Sequence, residues 1–463
     1  MRKMKFARGL MGLGIGLSMV AGCRGDDDAL NIAAGSAGGP VAWTKVLAGD
    51  DEQMGWFVAS TNSGQIVVAG TMQSRIDFGP AGQVDSVSDS DIFLAWIDST
   101  GKIIRVRRFG ETGGHVPTGI AVDADGGVLL SGVMIGSINF GGGMLDSQMT
   151  GDAFLASFNA NGEYRFAVTA GGAGEQTGGR IAIAPSGNIL WSGTYEGDIN
   201  VGGVALKSKG QSDLFLANID KVGKVAWAKS FGGAGYEGSA SITIQPQGQI
   251  LMSGFYEGAP DFGTGQLPDT GMVDGQFLAA FDAAGKLSWS RGLTHEAGYF
   301  PFAVHVDHNG LPWLIGACSG DVDVFGMKLS TPTQGIAMVQ LDVDGQPMSS
   351  QVFPADEVGY VDAMHVKGGG FVIAGDFTNK LQVAGQTLTS AGESDLFVIW
   401  MDSTGKVIRQ TRAGVAGEER FGSISMLPTG QVVVTGAFDG TMSTGGASYV
   451  SKNGPDGYVM LMN

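Results

Sequence analysis

Carboxylates are the residues of this chain with the most evident chemical potential, because they recur in similar connections between strand-like segments. The glutamates of these connections that we consider candidates for binding are Glu111, Glu175, Glu237, Glu296 and Glu418. An acidic rim of this kind favours cations, basic peptides or calcium-bridged partners. A pair of carboxylates could also cleave a glycosidic bond, although the sequence selects no pair. The alternative interpretation is that each Glu caps a tight corner.

Aromatic and histidine side chains break the pattern of the connections in two places. Trp56 and Phe57 occupy one of them, and His295, Tyr299 and Phe300 occupy the other, where related segments have small residues. Exposed aromatic rings suit contact with a sugar or a peptide. In the alternative interpretation these rings fill the interior, as large apolar side chains usually do. The candidate binding face also includes His115, Tyr236 and Tyr360.

Cofactor chemistry has little support in the sequence. Asp89 with Asp91, and Asp321 with Asp323, are weak calcium candidates, and simple surface solvation explains them as well. Asp91 also fits a cap that binds backbone amides at the start of a strand. The five histidines have no metal-ligand spacing, and phosphate-binding loops and nucleophile elbows are absent from the sequence. We expect no other cofactor and no catalytic constellation.

The N-terminal segment has the pattern of an export signal. Residues 1–22 contain basic residues followed by a short apolar run, and Cys23 comes directly after Ala21 and Gly22. This end resembles the lipobox of bacterial lipoproteins, which implies cleavage before Cys23 and a diacylglycerol on its thiol. The alternative is an ordinary signal peptide with an incidental cysteine. Residues 23–40 are small and polar and predict a flexible tether, and Arg24 after the cysteine favours the outer membrane.

Composition restricts the class of partner. The formal net charge is -17 at pH 7, which argues against nucleic acid and anionic lipid as partners. Cys318 is the only cysteine besides Cys23, so no internal disulfide can form after lipidation. We expect an exported, membrane-anchored monomer with a protein or a glycan as its partner.

A glycine that ends an apolar run recurs throughout the chain and defines a repeat. It returns at Gly70, Gly132, Gly193, Gly254, Gly316, Gly375 and Gly436. Within each repeat, alternating apolar residues between tight turns predict four antiparallel strands. Seven such sheets predict an all-β, seven-bladed β-propeller over residues 41–463, because radial repetition packs each sheet on its neighbours. In this prediction residues 41–47 pair with residues 457–463, complete the last blade and close the ring.

The repeats resemble a known type of propeller repeat. Segments such as SDLFLANIDKVGKVAWAKSFGGAGYEGSASITIQPQGQILMSG are similar to bacterial β-propeller repeats of SBBP type, with a D-x-F-x-A strand and an FGG corner. The resemblance implies a secreted or surface propeller and supplies no catalytic residues. Residues shared by all repeats are structural, so function belongs to positions that break the repeat. We predict a non-enzymatic binding or scaffold module for protein or glycan; the alternative is a polysaccharide- or peptide-cleaving enzyme with carboxylates at the propeller mouth.

Overall fold

The chain is almost entirely antiparallel β-structure arranged as a propeller. The computed structural model describes residues 41–49, 53–147, 150–294, 298–366, 369–414, 417–444, 447–451 and 454–463. In this part of the chain the helical content is one 3₁₀ turn at Gly79–Ala81, and no helix is long and apolar enough to cross a membrane. The predicted signal, Cys23 and the tether lie outside the described residues, as do His295 and Glu296.

Four sheets are separate blades of four antiparallel strands. Repeat 1 consists of β2 (Gln53–Ser60), β3 (Ile66–Met72), β6 (Asp91–Ile97) and β7 (Ile103–Phe109). Repeat 3 consists of β13 (Gln176–Ile183), β14 (Ile189–Tyr195), β17 (Asp213–Ile219) and β18 (Val225–Phe231). Repeat 4 consists of β19 (Glu237–Ile244), β20 (Ile250–Tyr256), β21 (Gly275–Phe281) and β22 (Leu287–Leu293).

The blade of repeat 7 takes its fourth strand from the other end of the chain. Its strands are β31 (Glu418–Met426), β32 (Val432–Asp439), β35 (Asp456–Met462) and β1 (Val41–Leu47). β1 runs antiparallel to β35, with Trp43 opposite Leu461 and Leu47 opposite Gly457. The predicted pairing between residues 41–47 and 457–463 is therefore present, and it covers an edge of β35 that would otherwise be unpaired.

The remaining repeats are not separate four-stranded sheets, which corrects the expectation of seven such sheets. In repeat 2, β8 (Thr112–Val122), β9 (Val128–Asn139), β11 (Asp152–Phe158) and β12 (Tyr164–Gly172) are extended by β10 (Met144–Asp146), β15 (Ile199–Val201) and β16 (Val204–Leu206). The resulting sheet has seven strands because β15, from the connection inside repeat 3, pairs with the outer strand β12.

Repeats 5 and 6 share one eight-stranded sheet. Its strands are β23 (Tyr299–Val306), β24 (Pro312–Val324), β25 (Met327–Leu341), β26 (Pro347–His365), β27 (Phe371–Val383), β28 (Gln386–Thr389), β29 (Asp395–Met401) and β30 (Val407–Ala413). The two repeats merge because β26 runs without a break from the last strand of repeat 5 into the first strand of repeat 6. Two small hairpins complete the described strands: β4 (Ile76–Asp77) with β5 (Gln83–Val84), and β33 (Thr441–Thr444) with β34 (Ala447–Val450).

The apolar core is divided among the boundaries between repeats. In the described part of the chain the buried apolar side chains form seven clusters, and each cluster joins two consecutive repeats or, in one case, repeats 7 and 1. The cluster of repeats 7 and 1 includes Leu47, Leu461 and Phe93. The first strand of each repeat also contacts the first strand of the next, and β31 of repeat 7 contacts β2 of repeat 1.

The repeated glycine is required by two close approaches to the second strand. A Cβ on Gly254 would lie 2.0 Å from the carbonyl oxygen of Gly238 and 2.6 Å from the ring of Phe277. The carbonyl belongs to the first strand, which has a β-bulge near this point in every repeat. A bulge pushes the backbone towards its neighbour, so only a residue without a side chain fits opposite it.

The Asp or Asn that follows the third strand in repeats 1 to 6 fixes the next turn. Asp220 Oδ1 accepts the backbone N–H groups of Val222 at 3.0 Å and Lys224 at 2.9 Å. The same pair of bonds is made by Asp98, Asn159, Asp282, Asp342 and Asp402. The regular spacing of this residue is therefore explained by turn formation.

Candidate functional site

Four of the residues predicted for the binding face lie in the interior. Phe57, His115, Glu237 and Tyr299 expose at most 1% of their surface. The Tyr299 hydroxyl donates to the carbonyl oxygen of Ala337 at 3.3 Å. Ala337 is on the third strand of repeat 5, at the position where most repeats have Phe. Tyr299 thus packs in the same core cluster as Ala337, and none of these four side chains is available to a ligand in this structure.

The buried Glu237 lies against a second carboxylate at the boundary between repeats 3 and 4. Asp213 Oδ1 and Glu237 Oε2 both approach Gly232, at 2.1 and 2.6 Å from the position of a Cβ there. Asp213 Oδ2 accepts the Lys209 N–H at 2.7 Å, and Glu237 Oε2 accepts the Gly233 N–H at 3.1 Å. Burial raises the pKa of Glu237 to about 7, and the neighbouring charge of Asp213 adds to this rise. Glu237 therefore belongs to a buried contact between repeats.

Three of the four weak calcium candidates, Asp91, Asp321 and Asp323, have protein partners. Asp91 is fully buried and accepts the Val87 N–H at 2.8 Å and Arg108 Nη1 at 2.9 Å, as expected for a cap. Asp321 and Asp323 are exposed on a hairpin, where they accept bonds from Ser330 Oγ and the Gly326 N–H. Asp89 is exposed as well. Among the residues that the structure describes, no group of three or more His, Cys, Asp or Glu side chains could hold a metal ion.

Three predicted residues come together around a pocket between repeats 7 and 1, which we call the Trp56 pocket. Its cavity volume is about 70 Å³, and it is lined by Met54, Gly55, Trp56, Arg420, Phe421, Gly422, Gly436 and Ala437. Glu418 binds Arg420 through two hydrogen bonds of 2.9 Å. Tyr360 stacks on Phe421 with ring centroids 5.8 Å apart. Trp56, Tyr360 and Glu418 are thus neighbours of one concave surface.

The residues that line the Trp56 pocket differ in how much of their surface is exposed. Trp56 is half-buried, and its indole N–H donates to Thr71 Oγ1 at 3.2 Å. Phe421 is buried, while the Arg420 side chain keeps 53% of its surface exposed. The lining of the pocket therefore combines two aromatic residues with one charged residue. Phe300, also predicted, is half-buried in repeat 5, and Glu111, Glu175 and Tyr236 are exposed on three further repeats.

Asp376, which is half-buried, binds the backbone next to the pocket. Asp376 Oδ1 accepts the backbone N–H groups of Phe421 at 3.2 Å and Tyr360 at 3.3 Å. Burial raises the pKa of Asp376 to about 7, which these two hydrogen bonds partly oppose. Asp376 follows the repeated Gly375, a position that holds no other acid in the chain: the remaining repeats have Thr71, Val133, Thr194, Phe255, Ala317 and Ala437.

Arg420, Phe421 and Asp376 were not identified from the sequence, although one signal pointed to Phe421. Phe421 is opposite the repeated Gly436, whereas the residues opposite five other repeated glycines are Gly55, Pro117, Gly178, Ser239 and Pro301. An aromatic residue among these small or compact residues breaks the repeat. The register of each first strand is needed to see this, because the bulge shifts the alignment by one residue.

Polar side chains fill the space where several first strands meet. Arg180 donates to the carbonyl oxygen of Thr118 at 2.6 Å and lies 5.9 Å from the Phe57 ring centroid. His305 Nε2 is 3.3 Å from Asp362 Oδ1. Burial lowers the pKa of Arg180 and raises the pKa of Asp362. The opposite charge of each group partly reverses the pKa shift that burial causes in the other. These buried groups are therefore a structural network among repeats.

Comparisons with known proteins assign no family. No family model matches the sequence. The regulatory protein FlaEY of Caulobacter vibrioides is similar, with 26% identity over 238 residues, which are 48% of this chain and 25% of that protein. The chain thus spans about a quarter of the length of this curated relative.

Similar solved structures are distant. Sqt1 from Chaetomium thermophilum has 12% sequence identity and a TM-score of 0.44, with 89% of this chain and 96% of that chain covered. An ulvan lyase of polysaccharide lyase family PL25 has 12% identity and a TM-score of 0.44, with coverage of 89% and 97%. A protein of unknown function from Dyadobacter fermentans has 12% identity and a TM-score of 0.40, with coverage of 91% and 99%. Likeness of this degree identifies neither function nor ligand.

Proposed function

We propose that this protein is a lipid-anchored, non-catalytic binding module that holds a glycan or a protein segment at the Trp56 pocket. The observation that carries the proposal is the pocket itself. It combines a half-buried tryptophan, a second aromatic ring and an exposed ion pair in one concavity, and these are the residue types that dominate binding sites. Trp56, Arg420 and Phe421 in its lining break the repeat, whereas a structural residue such as Gly436 recurs in every repeat.

The filled centre of the molecule favours binding over cleavage. A glycosidase needs two accessible carboxyl groups about 5 to 9 Å apart. The facing carboxyls Asp213 and Glu237 are buried, and Asp362 is engaged with His305. The lining of the Trp56 pocket offers a guanidinium and aromatic rings instead of carboxylates. These features support a role in recognition.

We also propose that the repeats form a closed ring of seven blades related to the SBBP-type repeats. The contact between β31 and β2 supports closure, because the Val58 N–H donates to Ser423 Oγ at 3.1 Å and Ser60 binds Ser425 at 2.8 Å. The outer edge supports it as well. The Trp43 indole donates to the carbonyl oxygen of Ser99 at 3.0 Å, just as Trp289 of repeat 4 donates to Val343 of repeat 5 at 3.0 Å.

Membrane attachment through Cys23 is the second part of the proposed function. The pattern of residues 1–23 supports it, and several acyl chains on one cysteine hold a protein on a bilayer because each buried methylene contributes about 0.8 kcal/mol. We expect the wild type to incorporate labelled palmitate and to fractionate with the outer membrane. Cys23→Ser should abolish both. A Cys23→Ser protein that still fractionated with membranes and carried label would contradict the anchor.

Binding at the pocket is tested with the full-length protein purified in detergent. It is applied to an oligosaccharide array and to a peptide array, together with Trp56→Ala and Tyr236→Ala. Tyr236 is a matched control because it is an exposed aromatic residue outside the pocket. We expect a ligand whose binding is lost in Trp56→Ala and kept in Tyr236→Ala. If no ligand on either array depends on Trp56, the proposed function is wrong.

A further inference from the structure

We propose that a calcium ion binds between the carboxylates of Asp213 and Glu237, at the boundary between repeats 3 and 4. Asp213 begins the third strand of repeat 3, and Glu237 begins the first strand of repeat 4. The exposed fraction of the residue surface is 0% for Asp213 and 1% for Glu237. Oxygens of both lie beside Gly232, at 2.1 and 2.6 Å from the position of a Cβ, so the two carboxyl groups converge where this residue has no side chain. The ion would thus connect two neighbouring repeats.

One oxygen of each carboxyl group is left without a hydrogen-bond donor. Asp213 Oδ2 accepts the Lys209 N–H at 2.7 Å, and Glu237 Oε2 accepts the Gly233 N–H at 3.1 Å. Asp213 Oδ1 and Glu237 Oε1 accept a hydrogen bond from none of the described residues. A buried polar atom without a partner is destabilising, and two facing carboxylates also repel each other. A divalent cation between them removes both penalties.

Two other boundaries between repeats supply an arginine to the equivalent aspartate. Between repeats 1 and 2, Arg108 Nη1 binds Asp91 at 2.9 Å, and between repeats 6 and 7, Arg412 binds Asp395. The residue of repeat 3 that corresponds to these arginines is Ser230, which has no charge. The boundary between repeats 3 and 4 therefore combines two carboxyl groups without the guanidinium that neutralises the aspartate elsewhere.

The charge of Glu237 is not needed to form the corner between strands. Between repeats 2 and 3, Gln176 takes the place of Glu237 and lies beside Asp152. Gln176 Oε1 accepts the Gly172 N–H at 3.2 Å, just as Glu237 accepts the Gly233 N–H. A neutral amide thus makes the same backbone contact, so a structural role as a cap does not account for the second carboxylate.

One lysine near the pair does not neutralise it. Lys209 is exposed, and its Nζ lies 3.5 Å from the carbonyl oxygen of Gly232. Burial raises the pKa of Glu237 to about 7, and the charge of Lys209 opposes this rise only in part. The charges of Asp213 and Glu257 act in the same direction as burial. Negative charge therefore exceeds positive charge around the pair.

The ligand atoms at this boundary favour calcium over other metals. Calcium binds roughly six to eight oxygen atoms in irregular geometry, from carboxylates, backbone carbonyl groups and water. Zinc prefers His and Cys, and magnesium requires a nearly ideal octahedron. No third His, Cys, Asp or Glu side chain joins the pair in the described part of the chain, so carbonyl groups and water complete the coordination. We expect a dissociation constant on the order of 0.1 to 1 mM.

The test measures calcium binding and thermal stability of the full-length protein in detergent at about pH 8. Binding of radioactive calcium is determined by equilibrium dialysis. Melting temperatures are compared in about 10 mM calcium chloride, in magnesium chloride of equal concentration and in EGTA. The variant is Glu237→Gln, which removes the charge and keeps a side chain that makes the backbone contact at Gln176. Glu175→Gln is the matched control, because Glu175 is an exposed glutamate in the connection before repeat 3.

We expect the wild type and Glu175→Gln to bind about one more calcium ion per chain than Glu237→Gln does. Relative to EGTA, calcium should raise the melting temperature of the wild type and of Glu175→Gln by about 2 °C, because the ion binds only the folded state. The melting temperature of Glu237→Gln should change by less than about 0.5 °C. Magnesium should have less than about half the effect of calcium. Circular dichroism verifies that each variant is folded.

Three results would overturn the proposal. Equal calcium binding by Glu237→Gln and the wild type would show that calcium binds elsewhere. If the wild type neither binds calcium nor melts at a higher temperature in its presence, a proton alone neutralises the pair. An equal effect of magnesium would contradict the assignment to calcium. The pair shares no residue with the lining of the Trp56 pocket, so these results are independent of the ligand arrays.

Discussion

The Gly238 carbonyl oxygen and the Phe277 ring leave no room for a side chain on Gly254, and similar contacts surround the other repeated glycines. Glycine therefore recurs at this position of the repeats because any side chain would collide with neighbouring atoms. Positions that break the repeat divide into two groups. Tyr299 is buried in the same core cluster as Ala337, whereas Phe421 and Arg420 line the Trp56 pocket.

Replacing the repeated glycine should destabilise the protein. Gly254→Ala places a methyl group within 2.0 Å of backbone and should lower the free energy of unfolding by about 3 kcal/mol, because the bulge must shift. Gly114→Ala, with open space around its Cβ, should change it by less than about 0.5 kcal/mol. Urea denaturation measures both. Equal midpoints for Gly254→Ala and the wild type would contradict this explanation of the repeat.

Glu237 should make stability depend on pH. Its pKa is raised in the folded protein from 4.5 to about 7, so the folded state holds a proton that the unfolded state releases. Stability contributed by this group is present at low pH and is lost as pH rises from about 4.5 through 7. Asp376, whose pKa is also about 7, adds to the same slope.

Glu237→Gln tests this dependence, since glutamine keeps the shape and removes the charge. We expect the variant to be more stable than the wild type at pH 8, on the order of 2 kcal/mol, and to approach it at pH 5. Chemical denaturation at the two pH values measures the difference. A constant difference between variant and wild type across this range would show that Glu237 does not titrate there.

At the scale of elements, strands are shared between repeats in two ways. β1 supplies the fourth strand of repeat 7, and β26 belongs to both repeat 5 and repeat 6. The sequence indicated the first arrangement, because Val41–Leu47 has the pattern of a fourth strand without a repeat of its own. The sequence did not indicate that β26 belongs to two repeats. The strand continues through residues 355–358 because the sheets of repeats 5 and 6 lie close enough to merge.

Removing β1 should destabilise the whole domain. Deletion of residues 36–48 exposes the edge of β35 and removes Leu47 from the cluster between repeats 7 and 1. We expect a lower melting temperature and more aggregation than in the wild type. Deletion of residues 24–35, within the predicted tether, is the control and should leave the melting temperature unchanged. A 36–48 deletion that melts like the wild type would refute the role of β1.

At the scale of the whole molecule, every repeat depends on its neighbours. The apolar clusters of the described residues lie between repeats, so no single sheet buries its own faces. If the ring is closed, the boundary between repeats 7 and 1 stabilises the molecule as much as a boundary in the middle of the chain. An open arrangement of repeats would instead unfold from its ends.

Two matched substitutions test this equivalence. Leu461→Ala removes a buried side chain between repeats 7 and 1, and Leu216→Ala removes one between repeats 3 and 4. Each should lower the free energy of unfolding by about 3 kcal/mol in one cooperative transition, because each leaves a cavity in a packed core. A much smaller effect of Leu461→Ala, or a separate early transition in either variant, would contradict a closed ring.

The sequence allowed the strands and the general arrangement to be predicted, because local information encodes them. Turn residues such as Asp220 bind the backbone within four residues, and alternating apolar positions mark strands by their period of two. The candidate site was predicted only in part. Trp56, Tyr360 and Glu418 were identified, while Arg420, Phe421 and Asp376 were not.

The sequence by itself determined the repeat, the strand pattern and the pairing of residues 41–47 with the end of the chain, because each follows from periodicity and from the spacing of turns. Tertiary structure alone decided which aromatic residues reach solvent. Tyr299 is buried because it packs into the cluster between repeats 4 and 5, and Trp56 lines a pocket because residues of repeats 7 and 1 meet there. Burial depends on the neighbouring repeat, and no pattern within one repeat contains that information.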